Sequence, residues 1–369
     1  MGMSWFALAL LLGQEPSDGP RLQACADIEV PACELPSDLT KSEIEFRLAD
    51  GHQAFWAERD VFHVVARRSE RPRLCCSIQT PMNPAEGAPD LWSLAVRMPD
   101  LDRAMLDVWL LPAAAGAPDE WRGPEAPPPP AELELEEGEL VQHVMQSSAL
   151  GQRRGLFIYR PRSDGPMPVI YLADEESVPS FASVLKPLIE SGEVPATMIV
   201  GLWSGPLLEE GEASDPNRRH KEYLAGWDDE VYLARERFLL SEVMPLAERL
   251  GASRVPSERI LAGFSDGAAW ALNTAMVNPD VFRGVIAMSF GSRPDRRARG
   301  SGYGSIYLTA GVYEPDFHQS TVDAAEALEG SADAVRLDVG IAGHSQMLWR
   351  ERFPHAVRWH LAGRSDPVP

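Results

Sequence analysis

Ile260-Leu261-Ala262-Gly263-Phe264-Ser265-Asp266-Gly267-Ala268-Ala269 is the stretch that decides how this chain is read. A short apolar run leads into Gly-x-Ser-x-Gly, and an alanine-rich segment then continues to about Val277. The pattern predicts a strand, a tight turn and a helix, with Ser265 at the tip of the turn. Small residues must flank such a serine, because strand and helix backbones come close there. The serine Oγ then stands at a helix N-terminus, where free N–H groups and the helix dipole favour a developing negative charge. Five residues of this kind also occur in ordinary strand-to-helix turns, so the surroundings carry the decision.

Past Val141 the surroundings alternate between strand-like and helix-like runs, the signature of a mostly parallel sheet. Strands are expected at Gly155–Arg160, Val169–Ala173, Thr197–Leu202, Gly284–Phe290, Ile306–Val312 and Ala334–Val339. Helices are expected from about Ser180 to Glu190, from Glu230 to Leu250, from about Val322 to Glu329, and through Trp349, Phe353 and Val357. Between Ser204 and Gly226 lies a long polar loop, of a length that usually carries function or disorder.

A serine hydroxyl is a poor nucleophile at neutral pH and needs a histidine base oriented by a carboxylate. In α/β-hydrolases, whose serine turn the Ser265 stretch resembles, the three occur in the order serine, acid, histidine, at the carboxyl ends of strands. Glu314 follows the expected strand ending at Val312, and His344 stands in the glycine-flanked loop Gly340-Ile341-Ala342-Gly343-His344. Asp316 rivals Glu314 as the acid, whereas Asp338 falls inside a strand. Among the other histidines, His318 is too near the acid's own loop, His355 and His360 belong to the terminal helix, and His220 precedes the elbow. An oxyanion hole would take the backbone N–H of Asp266 and a second one from Asp174-Glu175-Glu176-Ser177, with Glu176 favoured and Glu175 next. Neither a metal nor a cofactor is required by this chemistry.

The first third reads differently. Ser42–Leu48, Asp60–Ala66, Leu91–Met98 and Ala104–Leu111 alternate apolar and polar residues and are expected to be strands of a small β-sandwich over residues 21–112. Trp92, Trp109 and His63 within them read as core residues rather than as a binding face. Pro127 to Pro130 mark a semi-stiff linker over 113–140, and the α/β domain would occupy 141–369. Lys and Arg number 34 against 55 Asp and Glu, a net charge of −21 that makes nucleic acid and anionic membranes poor partners. The apolar run Trp5–Leu12 has signal-peptide length, so residues 1–20 are expected to be a leader, although no Lys or Arg precedes Arg21. All four cysteines lie early, at Cys25, Cys33, Cys75 and Cys76, with no metal-site spacing. They are expected to form two disulfides in a periplasmic or secreted protein, Cys75 and Cys76 each pairing with Cys25 or Cys33.

Together these residues resemble the esterase D-like group of α/β-hydrolases, and within it the enterochelin esterase-like proteins. The resemblance runs from about Ser148 to Leu361. It rests on Val169–Asp174, Arg219–Leu224, Gly263–Gly267, Gly311–Pro315, and Gly343-His344 with Trp349-Arg350. It implies Ser265 as nucleophile, His344 as base and Glu314 as orienting acid, acting on a small-molecule or carbohydrate ester. Where the family has glycine after Asp174, this chain has Glu175. The sandwich and its Trp-x-Gly-Pro linker resemble, more loosely, the domain preceding the hydrolase in enterochelin esterases. Two other activities fit the same residues: acyl transfer to an acceptor alcohol, and non-catalytic carbohydrate or ligand binding with a relic triad.

Overall fold

The computed structural model describes residues 21–25, 31–112, 118–208, 212–292, 295–298 and 300–363; the expected leader lies outside them. The chain forms two compact units. One is the chain up to Pro128 together with Gly311–Pro315 and Gly340–Leu348, and the other is the remainder.

Among the described residues, the first unit carries β1 (Cys33–Leu35), α1 (Lys41–Leu48), β2 (Gln53–Glu58), β3 (Val61–Arg67), β4 (Arg73–Cys76), β5 (Thr80–Pro81), β6 (Asn83–Ala85), β7 (Ala88–Arg97), β8 (Met105–Leu111) and β9 (Asp119–Arg122). They form two antiparallel sheets, β1-β7-β3-β2 with β6 on β7, and β5-β4-β8-β9. Alternate residues Phe62, Val64 and Ala66 of β3 and Leu94 and Val96 of β7 meet Leu74, Leu106, Val108 and Leu110 of the second sheet in one core. That two-residue period is what a sandwich requires of each inner face. His63 is stacked on Trp56 with ring centroids 5.0 Å apart, and burial lowers its pKa, which fits a packing role.

Three expectations for this unit are corrected. Ser42–Leu48 lies in helix α1, not a strand. Thr40 and Glu43 form a reciprocal capping box, and Ile44 and Leu48, four residues apart, are buried while Phe46 is 81% exposed; the i, i+4 pair overrides the apparent alternation. The disulfides join Cys25 to Cys33 and Cys75 to Cys76, because Cys33 belongs to one sheet and Cys75 and Cys76 to the other. The supposed linker also contributes β9, an edge strand on β8, as its prolines exclude only a central position.

The second unit carries β10 (Leu140–Gln146), β11 (Arg153–Tyr159), β12 (Val169–Ala173), α2 (Val178–Glu190), β13 (Met198–Leu202), α3 (Arg218–Tyr223), α4 (Asp229–Phe238), α5 (Met244–Arg249), β14 (Arg259–Phe264), α6 (Asp266–Val277), β15 (Gly284–Met288), β16 (Tyr303–Gly311), α7 (Pro315–Leu328), β17 (Ala332–Gly340) and α8 (Gln346–Leu361). The eight-stranded sheet has the order β10-β11-β13-β12-β14-β15-β16-β17. Strands β12 to β16 run parallel, and the first two ladders, β10-β11 and β11-β13, are antiparallel. β12 to β16 are buried at every position, as strands covered on both faces must be. The helix expected over Glu230–Leu250 contains a wider π turn at Leu239–Val243, just before Pro245, which has no N–H to donate to the preceding turn.

The long loop after β13 is held by buried charge. Arg154 of β11, Arg235 of α4 and Arg218 of α3 converge on Glu222, with closest approaches of 2.6, 3.1 and 2.5 Å. Arg154 and Arg235 also donate to the loop carbonyls of Gly205 and Trp203, so the arginines bind the backbone and the carboxylate together. Glu222→Leu would leave these guanidiniums buried without their anion. The expected loss is about 3–5 kcal/mol of stability, measured by urea unfolding; a loss under ~1 kcal/mol would show the cluster to be dispensable.

Candidate active site

Ser265 caps the start of α6 with φ 56° and ψ −127°, a backbone region that non-glycine residues occupy only when their surroundings force it. Here the forcing is visible. The Ser265 N–H donates to Met288 O at 2.9 Å, and the Ala268 N–H donates to Ser265 O at 2.9 Å. A Cβ at Gly263 would overlap the Gly267 carbonyl, and one at Gly267 would lie 2.8 Å from the Ala173 Cβ. Both glycines are therefore required by close approach. The Asp266 N–H belongs to the first turn of α6, ahead of the helix's own i→i−4 ladder.

The structure brings Glu314 and His344 together. Glu314 Oε2 lies 2.6 Å from His344 Nδ1, while Glu314 Oε1 accepts from the Gly311 N–H at 2.6 Å. Both side chains are buried, each at the end of a segment that follows a sheet strand, β16 or β17. The rival acid Asp316 is exposed in the first turn of α7. His318 lies on the same helix; His355 and His360 lie in α8, with His360 Nε2 2.9 Å from Val285 O. Asp338 sits in β17, bonded to Tyr307 and Arg352.

The loop after β12 forms a short 3₁₀ turn, Glu175–Ser177, which runs into α2. The backbone N–H groups of Glu175 and Glu176 head this turn and so have no partner within it. Asp174 enters it in the left-handed region at φ 61°, and its N–H donates to Tyr223 Oη at 3.1 Å. Arg219 then locks this loop to the elbow. It donates to both Asp174 oxygens at 2.8 to 3.2 Å, to Asp266 Oδ2 at 2.8 Å and to Phe264 O at 3.3 Å. Burial opposes its charge, but Asp174 and Asp266 outweigh that and raise its pKa. His220 Nδ1 lies 2.7 Å from the same Asp266 oxygen, and its ring packs on half-exposed Trp227 at 4.9 Å. Sequence reasoning set His220 aside because it precedes the elbow; the signal that places it here is its position beside Arg219 in the Arg219–Leu224 motif.

Glu175 is the departure from the family pattern that matters most locally. Its side chain is 2% exposed, and its Oε2 has no hydrogen-bond partner. Gly201 of β13 makes room for it, since a Cβ there would lie 2.7 Å from the Glu175 Cα. Burial, then repulsion from Glu176 and Asp174, pushes the Glu175 carboxyl up to about 10, so it is a neutral acid at neutral pH.

The fold and this geometry define an α/β-hydrolase preceded by a small β-sandwich. Residues 147–360 match the model of the family described as Putative esterase, and the chain belongs to that family of carboxylic ester hydrolases. Its fold is similar to that of the enterobactin esterase of Shigella flexneri, solved in the presence of 2,3-dihydroxy-N-benzoyl-serine, with 17% identity, a TM-score of 0.60, and coverage of 87% of this chain and 98% of the other. The ferric enterobactin esterase of Salmonella typhimurium gives 16% identity and a TM-score of 0.59 over 84% and 96% of the two chains. The siderophore hydrolase EstB of Aspergillus nidulans gives 16% and 0.50 over 64% and 98%. Likeness at this identity establishes the fold. No curated protein sequence matches the chain.

The Glu175 carboxyl makes a pH prediction. The folded chain keeps its proton up to about pH 10, whereas the unfolded chain releases it near the ordinary 4.5, so the folded state binds more protons and stability falls as pH rises through that window. Glu175→Gln removes this loss. The Tm advantage of the variant should widen between pH 5 and pH 9, by about 4 °C or more; an advantage that does not change with pH would contradict a neutral buried carboxyl.

Proposed function

We propose that the protein is a serine esterase that works through an acyl-enzyme, with Ser265 as nucleophile, His344 as base and Glu314 as orienting acid. The single observation that carries this reading is the 2.6 Å contact of Glu314 with His344 Nδ1, on segments that follow β16 and β17 of the sheet whose β14 leads into the Ser265 elbow. With Nδ1 engaged by the carboxylate, Nε2 is the nitrogen left to take the Ser265 proton. Ser265 Oγ adds to the ester carbonyl, and the oxyanion is received by the N–H groups of Asp266 and Glu176. The C–O bond to the alcohol then breaks as His344 returns the proton to it. Water, deprotonated by the same imidazole, adds to the acyl-enzyme and releases the carboxylic acid and free Ser265.

The substrate class this supports is a small-molecule ester. The similar folds belong to proteins named as enterobactin and siderophore esterases, and carbohydrate esters fit the same chemistry. The Cys25–Cys33 disulfide and the apolar run before Arg21 support an exported protein.

Ser265→Ala should reduce kcat/KM on an activated-ester panel by about 10³-fold or more and abolish labelling by a fluorophosphonate. Glu314→Gln, which keeps the shape of the acid but not its charge, should lower kcat by about 10²–10⁴-fold with KM little changed. Undiminished turnover by Ser265→Ala would sink the mechanism.

A further inference from the structure

The loop bearing His344 is held by residues far away in sequence. Within the first compact unit, the His344 N–H donates to Ser77 O at 3.3 Å, and a Cβ at the preceding Gly343 would overlap that same carbonyl. The Ser77 hydroxyl, in turn, accepts from the Asp107 N–H at 2.8 Å. Next to the histidine, the Ser345 hydroxyl donates to Asp107 Oδ2 at 2.7 Å, and the Gln346 N–H donates to the same oxygen at 3.0 Å. Ser345 Oγ then accepts from the Met347 N–H at 3.1 Å, so the start of α8 is tied to the carboxylate. Three further contacts bind the two segments to the sandwich and to each other. The Met105 N–H donates to Ile341 O at 2.9 Å, the Tyr313 N–H donates to Ala342 O at 2.9 Å, and the Tyr313 hydroxyl bonds Pro99 O. The Tyr313 ring lies in the sandwich core beside Val312 and Ile341.

We infer that Asp107, on β8 of the sandwich, is a positioning residue for the base, holding the His344 loop through Ser345 and Gln346 while Ser77 fixes its backbone. The inference rests on the reading of His344 as the base. Asp107 suits the task because it is only 7% exposed and its one oxygen accepts two bonds from consecutive residues directly after the histidine. Buried acceptors of this kind are costly to leave in place without donors, so the loop has one favoured arrangement. A carboxylate among apolar strand residues also costs stability: burial, and then Glu120 on neighbouring β9, raises its pKa to about 6. Asp107 lies on the face of β8 opposite Leu106, Val108 and Leu110, which fill the sandwich core, so its carboxylate takes no part in that packing.

The test compares Asp107→Ala, Asp107→Asn and Ser345→Ala with wild type and with Ser265→Ala, on an activated ester, alongside Tm and the downfield proton NMR signal of the His344–Glu314 bond. Asp107→Ala should lower kcat by about 10²-fold with KM unchanged, the size expected when a reacting group is misplaced by about 1 Å, and should broaden the NMR signal. Asp107→Asn keeps an acceptor for Ser345 and Gln346 and should recover most of the loss; Ser345→Ala should fall in between. Equal activity of Asp107→Ala and wild type would overturn the inference. So would an Ala and Asn loss of the same size, or a loss in Ser345→Ala and Asp107→Ala that follows the unfolded fraction alone. Should Asp107→Ala not fold, Ser345→Ala and Asp107→Asn decide: full activity in Ser345→Ala with an unaltered NMR signal overturns it. An inactive wild type, or an active Ser265→Ala, would instead refute the esterase mechanism and leave the hydrogen-bond readout to judge Asp107.

Discussion

Ser265 can hold φ 56° only because no side chain stands at Gly263 or Gly267. With hydrogen at both positions, β14 and α6 approach until their backbones touch, and the serine at the bend has no relaxed conformation open to it. The strain is sustained by its surroundings. Phe264 is stacked on Trp349 at 4.4 Å and packed near Phe181, so the strand end cannot give way. The Ser265 N–H is tied to β15, and Asp266 to Arg219. A bend of this kind is fixed by the sheet on one side and a partly buried salt bridge on the other. Much of the second unit can be understood as the support those two sides need.

The support is electrostatic as much as apolar. Glu222 gathers three arginines, and Arg235 also reaches Tyr223, whose oxygen accepts from the Asp174 N–H. A continuous path of hydrogen bonds therefore runs from the largely buried Glu222 ion cluster to the loop expected to complete the oxyanion hole. Ion clusters at such depth contribute little net stability. Their worth lies in direction, because each guanidinium has a fixed set of donor axes and each satisfied carbonyl removes an alternative loop conformation. Arg219 applies the same logic at the surface end, reading two carboxylates and a main-chain carbonyl at once.

Much of this was legible in the sequence, for reasons particular to each residue. The parallel strands are apolar on both faces and bounded by turn residues, so β12 and β13 were visible almost to the residue, β15 and β16 to within three residues, and so was the serine turn. Chain order pointed to His344 and to an acid at Glu314 or Asp316, and of those two carboxylates it is Glu314 that lies against His344 Nδ1. What escaped notice were features set by particular pairings that an apolar pattern does not display, some local and some distant in the chain. Nothing in Ser42–Leu48 tells an alternating strand from a capped helix unless Thr40 is weighed with Glu43. Cys75 and Cys76 looked like partners for Cys25 and Cys33 because spacing says nothing about which sheet a strand joins. Asp107 read as one polar residue on an alternating strand, since its use is set by a loop 238 residues later.

Glu175 shows how a local departure can be absorbed without loss of the fold. A glycine after Asp174 would allow the loop to turn with no side chain to place. With glutamate there, the carboxyl is folded inward, and the space comes from Gly201 on the next strand. Keeping the acid protonated lowers the cost of that burial, because a neutral carboxyl forgoes far less hydration than a carboxylate. The backbone can then keep its 3₁₀ turn and present its N–H groups as a glycine loop would. What changes is the chemistry behind the loop: a proton donor held close to Asp174 and Glu176 where a glycine would place nothing. The lining of the turn thereby becomes sensitive to pH, while Arg219 holds Asp174 beside it.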